Sequence, residues 1–178
     1  MRGRGVSAMD AGPMRETMDP GEAESAPAGP RAPARLLEYK WGSFVAFPAH
    51  TTIALIDSPP VVEVPGSPYY CRGLIGWQGR WLPLLDLNAL LRAYPEPEAP
   101  ASGHVLVLAY QEAPGRPLEY GAVCARLLVR MIEVADSQRC ELPRDSDLWP
   151  WVSLSCFGHE GHAVPVLDTR RLFAQPPP

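Results

Sequence analysis

The sequence predicts an all-β fold built from two similar barrels. Short apolar stretches of strand length alternate with Pro- and Gly-containing turn signals, which is typical of small barrels and sandwiches. A motif of 13 residues also occurs twice, 82 positions apart. A repeat of that size indicates that the chain forms the same local structure twice.

The strand-length stretches are rich in Val, Ile and aromatic residues, as strands are. In the first half they lie at 44–47, 52–56, 61–64, 74–75 and 81–87, and in the second at 105–110, 120–124, 127–134 and 163–167. The stretch 127–134 is long enough for a helix, but its β-branched residues favour a strand. Two short helical turns are predicted at 87–94 and 169–173, each directly after an Asp.

The repeated motif covers 79–91 and 161–173, which align without gaps. Both copies read Gly, three residues, Pro, two aliphatic residues, Asp, three residues, Leu and a further apolar residue. This order predicts a turn at Gly, an edge strand that tolerates Pro, and a helical turn capped by Asp. Asp86 and Asp168 are therefore interpreted as helix caps worth about 1 kcal/mol each, and not as a pair of catalytic carboxylates.

Two segments separate the predicted units. Residues 1–34 are rich in Gly, Pro, Ala and Glu and have no aromatic residue, so we expect a disordered tail. The segment 94–103 has the same character and is expected to connect a first barrel at about 36–93 to a second at about 104–174. Together the two barrels would form one domain over 35–175.

Composition excludes several classes of function. The net charge of −4 and the absence of a basic stripe argue against a nucleic-acid partner. No stretch approaches the ~20 apolar residues of a membrane helix, and the N-terminus lacks the apolar run of a secretory signal. We expect a soluble cytoplasmic protein with no direct insertion into a membrane.

The four cysteines, Cys71, Cys124, Cys140 and Cys156, form no CxxC pair and match no zinc spacing. In a reducing cytoplasm they are expected to be small buried residues or idle thiols. A redox switch is the alternative, and only their number suggests it.

Residues 70–87, which read YCRGLIGWQGRWLPLLDL, resemble the signature of the CheW-like domain family. That signature runs aromatic, any residue, basic, Gly, two aliphatics, Asn, apolar, Arg, Gly, two or three residues, Pro, two aliphatics, Asp and Leu. The neighbouring stretches 62–68 and 121–124 also resemble the family, so that the resemblance covers about 36–174. The family includes pilus-associated, PilI-type relatives.

The resemblance implies two SH3-like, five-stranded barrels packed side by side, and no catalysis. Family members bind the regulatory domain of a CheA-type histidine kinase and the cytoplasmic tip of methyl-accepting chemoreceptors. They serve chemotaxis, or twitching motility driven by type IV pili, as scaffolds of two-component signal transduction. The expected location is the cytoplasm, at membrane-associated receptor arrays.

The sequence departs from the family signature at several positions. The signature Asn and Arg fall on Gly76 and Gln78, the Glu that pairs with this Arg in many members falls on Ala54, and an Asp of the second half falls on Ala125. Because both partners of the ion pair are missing together, neither leaves an uncompensated charge behind. An alternative function is therefore a divergent module that has lost kinase coupling and acts as a spacer or competitor.

The candidate protein-binding residues are Trp77, Gln78 and Arg80 in the signature turn, with Ala54 on a neighbouring strand. If Trp77 and Trp81 share one strand they face the same side, with Trp81 the better core candidate and Trp77 the better interface candidate. A solvent-exposed turn residue is the alternative for Gln78. Two further tryptophans, Trp149 and Trp151, are expected to pack over a barrel end from a loop.

No catalytic, cofactor-binding or metal-binding residues are predicted. His159 and His162 have a spacing that metals use, but they flank a Gly turn and not a helix that would aim both rings at one point. A metal-dependent enzyme that uses these histidines is the remaining alternative.

Overall fold

Two curled β-sheets, accompanied by three short helices, make up the part of the chain that the structure describes. This structure is a computed structural model, and it describes residues 29–92, 103–126 and 129–174. Most of the predicted tail and connector lies outside these ranges. Within them, no helix is long and apolar enough to cross a bilayer.

The elements follow one another in this order: β1 Arg31–Lys40, β2 Ser43–Pro48, β3 Thr52–Asp57, β4 Val61–Val62, β5 Cys71–Trp77, β6 Arg80–Leu85, α1 Leu87–Leu91, β7 His104–Gln111, β8 Leu118–Ala125, β9 Val129–Ala135, α2 Trp149–Val152, β10 Ser153–His159, β11 His162–Leu167 and α3 Thr169–Ala174. The predicted all-β class is confirmed. Strands β1 and β10 and helix α2 were not predicted from the sequence.

The two sheets have the same plan. One, called here the five-stranded barrel, has the order β10-β11-β2-β1-β9, and the other, the six-stranded barrel, has the order β3-β7-β8-β6-β5-β4. The two orders match strand by strand when each is read from the hairpin that contains the motif. In that direction the six-stranded barrel runs β5, β6, β8, β7, β3, and the five-stranded barrel runs β10, β11, β2, β1, β9. Strand β4 has no equivalent strand in the five-stranded barrel. It pairs with β5, whereas the equivalent strand β10 has at the corresponding place a single β-bridge between Arg139 and Phe157. The sequence repeat therefore reflects a repeat of topology.

The barrels do not divide the chain at the predicted connector. Strands β1 and β2 belong to the same sheet as β9, β10 and β11, while β7 and β8 complete the sheet that begins at β3. The predicted sequential barrels, about 36–93 and 104–174, are thus corrected to two interleaved barrels. Strand β1 also starts at Arg31, before the predicted boundary at 35.

Three apolar clusters form the interior. One fills the five-stranded barrel around Leu36 and Phe157, and one fills the six-stranded barrel around Ile75 and Val107. The largest lies between the two sheets and includes Trp149, which is 1% exposed. Strands of both barrels supply this middle cluster, so the barrels share a core.

The two motif copies form the predicted turns and helix caps, but their Pro-containing strands are not edge strands, because β6 pairs with both β5 and β8 and β11 pairs with both β10 and β2. Proline is tolerated there because the parallel pairing of each strand begins after Pro83 or Pro165. Each hairpin turns through two residues with positive φ, Gln78-Gly79 and Glu160-Gly161, as a type I′ turn requires. After the second strand, Asp86 accepts a hydrogen bond from the Ala89 N–H at 3.1 Å. Asp168 accepts one from the Arg170 N–H at 2.9 Å. Both aspartates are therefore helix caps.

Candidate protein-binding surface

The signature residues form the β5–β6 hairpin of the six-stranded barrel. Trp77 at the end of β5 pairs with Arg80 at the start of β6, and Gln78 occupies the turn between them. Directly paired residues of antiparallel strands point to the same face. The hairpin therefore places Trp77 and Arg80 side by side, with Gln78 at its tip.

Tyr120 of strand β8 holds this pair in place. Its ring centroid lies 5.2 Å from that of Trp77, and the Arg80 guanidinium lies 5.5 Å from the Tyr120 ring centroid. An Arg80 nitrogen is also 4.0 Å from a carboxylate oxygen of Glu119, with both side chains more than half exposed. The result is an accessible surface with an aromatic base and one charge of each sign.

Ala54 contributes to the same barrel interior from strand β3. It pairs with Val107 and packs, half-buried, against the apolar cluster that also receives Trp77 and Tyr120. The structure thus places Ala54 and Trp77 in one cluster. Position 54 therefore carries an apolar side chain, and the hairpin carries a cation at Arg80.

The two tryptophans have opposite roles from those expected. They lie on different strands, because the turn at Gln78-Gly79 separates them, and Trp81 pairs with Gly76 on the other face of the sheet. Trp81 is 64% exposed, whereas Trp77 is half-buried against Tyr120. The condition for a shared face, that both lie on one strand, is therefore not met, and the expectation that Trp81 is in the core was wrong.

Exposed apolar side chains concentrate on the six-stranded barrel. Of the eleven large exposed hydrophobic residues in the described ranges, eight belong to this barrel and its loops, and three belong to the other barrel. The eight are Ile53, Leu55, Val61, Val62, Val64, Tyr69, Trp81 and Leu118. This uneven distribution favours the six-stranded barrel over the other barrel as a protein-binding surface.

An ion pair that the sequence reasoning did not identify fixes the base of the hairpin. The Arg72 Nε donates to Asp86 Oδ2 at 3.0 Å, and a second guanidinium nitrogen lies 2.9 Å from the same oxygen. Asp86, 8% exposed, thereby caps α1 with one oxygen and holds Arg72 with the other. The sequence did contain a sign of this pair, because Arg72 and Asp86, 14 positions apart, are the basic residue and the Asp of the signature.

A cavity of about 370 Å³ opens beside this ion pair. Its lining includes Arg72, Glu63 and His104 as well as Cys124. Burial raises the pKa of the Cys124 thiol to about 12, so this thiol stays protonated at neutral pH. The cavity belongs to the six-stranded barrel and is also lined by the exposed Val61 of β4.

His159 and His162 pair across the β10–β11 hairpin, as the motif predicts for a turn. The Nε2 atom of His159 lies 2.7 Å from an Arg130 guanidinium nitrogen, and the same nitrogen donates to Glu160 at 2.9 Å. This hydrogen bond lowers the pKa of the Glu160 carboxyl. In the described ranges, no group of three or more His, Cys, Asp or Glu side chains could hold a metal ion.

Trp149 and Trp151 both lie in helix α2, and not in the predicted loop. Trp149 is part of the middle core, its indole N–H donates to Asp145 at 2.7 Å, and Trp151 packs against the same cluster while half-buried. Trp149 therefore packs between the barrels and not over a barrel end.

Comparison with known proteins agrees with this architecture. The family model described as the CheW-like domain matches residues 41–138, more than half of the chain. The scaffolding protein TtCheW from Thermoanaerobacter tengcongensis has a similar structure, with a TM-score of 0.61 at 10% sequence identity. The match covers 80% of this chain and 92% of that one. No curated protein sequence matches this chain.

Proposed function

Because the chain belongs to the CheW-like domain family, we propose that it is a non-enzymatic adaptor that couples chemoreceptors to a CheA-type histidine kinase. The observation that carries the proposal is the larger share of exposed apolar side chains on the six-stranded barrel, which include Trp81 of the signature hairpin. The adaptor works in the cytoplasm at receptor arrays, in chemotaxis or in type IV pilus signalling.

Its mechanism needs binding energy alone. An exposed tryptophan can supply much of the affinity of an interface, since a few aromatic side chains that become buried on binding dominate it. Trp81 is the largest exposed aromatic side chain of the six-stranded barrel. The kinase regulatory domain is the partner proposed for this surface, and the receptor tip is the second partner.

The charged side chains beside the hairpin orient the kinase on the surface. Arg80 and Glu119 are both exposed and lie next to each other, so that a partner can present a complementary pair. Exposed charges of this kind contribute mainly to the association rate and to specificity. Gln78, at the tip of the turn, adds an uncharged polar contact.

A titration with matched tryptophan variants tests the proposal. Trp81→Ala is compared with Trp41→Ala, since Trp41 is 73% exposed but lies in the turn between β1 and β2 of the other barrel. We expect Trp81→Ala to weaken binding of the kinase regulatory domain at least ~10-fold, which corresponds to about 1.4 kcal/mol. Trp41→Ala should leave this affinity unchanged.

Calorimetric titration against the kinases and receptors of the same host gives the measurement. Equal effects of the two variants would argue against the assigned surface. The absence of measurable affinity for every host kinase and receptor at high micromolar concentration would overturn the adaptor function. The kinase that binds, from a chemotaxis or a pilus system, identifies the pathway.

A second candidate function follows from Ala54 and Gln78, where the family's ion pair is missing: a spacer or competitor in the array that does not activate the kinase. Restoring the pair in the double variant Ala54→Glu with Gln78→Arg should then increase kinase activation in a reconstituted assay. Ala54→Glu alone is the control, because it adds a carboxylate to a half-buried position without a partner. An unchanged response to the double variant removes this candidate.

A further inference from the structure

Two of the cysteines lie side by side in the five-stranded barrel. The Sγ atoms of Cys140 and Cys156 are 3.3 Å apart. Cys156 is on strand β10 and is 4% exposed, while Cys140 follows the turn after β9 and is half-buried. The sequence alone gave no reason to pair these residues, which are 16 positions apart.

The backbone holds the two cysteines opposite each other. The Cys140 N–H donates to the Cys156 carbonyl at 3.1 Å, and the neighbouring residues Arg139 and Phe157 form a β-bridge. Opposite residues in a hydrogen-bonded antiparallel pair have Cα atoms about 5.5 Å apart. This separation lies within the range of about 4.4–6.8 Å that disulfides require.

We propose that Cys140 and Cys156 are an oxidisable thiol pair, which a hydroperoxide converts into an intramolecular disulfide. The proposal does not rest on the proposed adaptor function, because only the geometry of the two thiols carries it. It develops the redox alternative for two of the four cysteines. The other two cysteines, Cys71 and Cys124, lie on strands β5 and β8 of the six-stranded barrel and serve as internal references.

The chemistry has two steps. The Cys140 thiolate attacks hydrogen peroxide, so that an S–O bond forms, the O–O bond breaks and hydroxide leaves to become water. The Cys156 sulfur then attacks the resulting sulfenic acid, so that the S–S bond forms, the S–O bond breaks and a second water leaves with the Cys156 proton. Two thiols and one peroxide give one disulfide and two waters.

The order of the steps follows from exposure. Cys140 is the thiol that a small oxidant can reach, whereas Cys156 is almost fully buried. Burial, and then the hydrogen bond with Cys140, raise the pKa of the Cys156 thiol, which keeps it protonated and unreactive toward the oxidant. Cys156 is therefore the resolving residue.

The disulfide would close a loop that contains residues 141–155. This loop carries helix α2 and Trp149, which packs in the middle core between the two barrels. Local opening of the loop requires Trp149 to leave that core. A covalent link at the base of the loop limits such opening and reduces the freedom of the unfolded chain.

Thiol counting on the full-length protein tests the proposal. After hydrogen peroxide treatment, denaturation and alkylation, the wild type should take up two alkyl groups where the untreated chain takes up four, one per cysteine. Peptide mapping should find Cys140 linked to Cys156, and a dithiol reductant should restore all four. Amide exchange in 141–155 should slow, and the melting temperature should rise, only in the oxidised protein.

Variants separate this site from the other thiols. Cys140→Ser and Cys156→Ser should abolish both the loss of thiols and the rise in melting temperature, whereas Cys71→Ser should keep both. Because Cys156 is buried, Cys140→Ser, at the more accessible position, is the decisive variant if Cys156→Ser folds poorly. Four alkylated cysteines after peroxide, a disulfide that includes Cys71 or Cys124, or links between chains would overturn the proposal.

Discussion

Cutting the chain between its two halves should unfold both of them. The five-stranded barrel takes β1 and β2 from the first half and β9, β10 and β11 from the second, and the six-stranded barrel is divided in the converse way. A protease site placed in the segment 93–102 would separate the halves without touching a described strand. We expect neither half to form a stable barrel alone.

The size of the effect follows from the buried side chains. Strands β1 and β2 supply Leu36, Leu37, Val45 and Phe47, each 0% exposed. Burial of one such side chain stabilises a fold by about 1.5–3 kcal/mol, which makes roughly 6–12 kcal/mol for the four. Whole domains of this size are stable by only about 5–15 kcal/mol, so the loss is comparable to the total. In the second half, Val105, Leu106, Val107 and Leu108 of strand β7 lose their burial in the same way.

Circular dichroism and urea unfolding of the separated halves provide the assay. Each half alone should show no cooperative transition, and an equimolar mixture should recover the sheet signal with a midpoint that rises with concentration. The uncleaved chain that carries the protease site is the control. A cooperative unfolding transition in either isolated half would refute the interleaved arrangement.

Three further predictions concern single positions. Gly121→Ala places a methyl group against the Phe173 ring and should cost about 1–3 kcal/mol of unfolding free energy. In a Phe173→Ala background the same change should cost close to nothing. A double-mutant cycle measures the difference between the two costs. Asp86→Asn keeps an acceptor for the α1 cap but loses the charge that holds Arg72, so urea unfolding should show a loss of about 1–2 kcal/mol of unfolding free energy. Asp168→Asn is the comparison: Arg171 lies 3.6 Å from the Asp168 carboxylate, and the change should cost about 0.5 kcal/mol or less. Equal losses in the two variants would contradict this reasoning. Burial raises the pKa of the Tyr39 phenol from 10.0 to about 12, so its stabilising contribution is complete below pH 10 and is lost as the pH rises toward 12. The melting temperature should therefore decline in this alkaline range, and Tyr39→Phe should make that decline smaller. An unchanged decline in the variant would show that other groups cause it.

The local structure was predictable because it depends on residues close together in the chain. Gly79 and Gly161 mark two-residue turns that need positive φ, and Asp86 and Asp168 mark helix starts. These signals act over three or four positions, and they gave the hairpins, the caps and the repeat. The apolar stretches likewise located most of the strands, including the buried strand β7.

The assignment of strands from both halves of the chain to each barrel could not be predicted. The sequence repeat shows that two units are alike, but it does not show which strands pair with each other. Strand β1 was missed for a related reason. It is buried from both sides, against the five-stranded barrel at Leu36 and against the middle core at Leu37, so it lacks the alternation of a half-exposed strand. Strand β10 was missed because its sequence, SLSCFGH, is rich in Ser, Gly and His. Trp81 was misplaced because the turn at Gly79 shows that Trp77 and Trp81 lie on different strands but does not show which face of the sheet is covered by the rest of the fold.

The shared core bears on how such an adaptor can couple two partners. A flexible linker between two binding modules raises only the effective concentration of one partner near the other. Here the chain passes from β2 to β3 through three residues, 49–51, and Leu37 of the first half packs in one cluster with Leu167 of the second. Two barrels joined in this way hold their outer surfaces in a fixed relation. A partner bound to the six-stranded barrel would therefore be oriented, as well as concentrated, relative to a partner on the five-stranded barrel, as the proposed coupling of a kinase to a receptor requires.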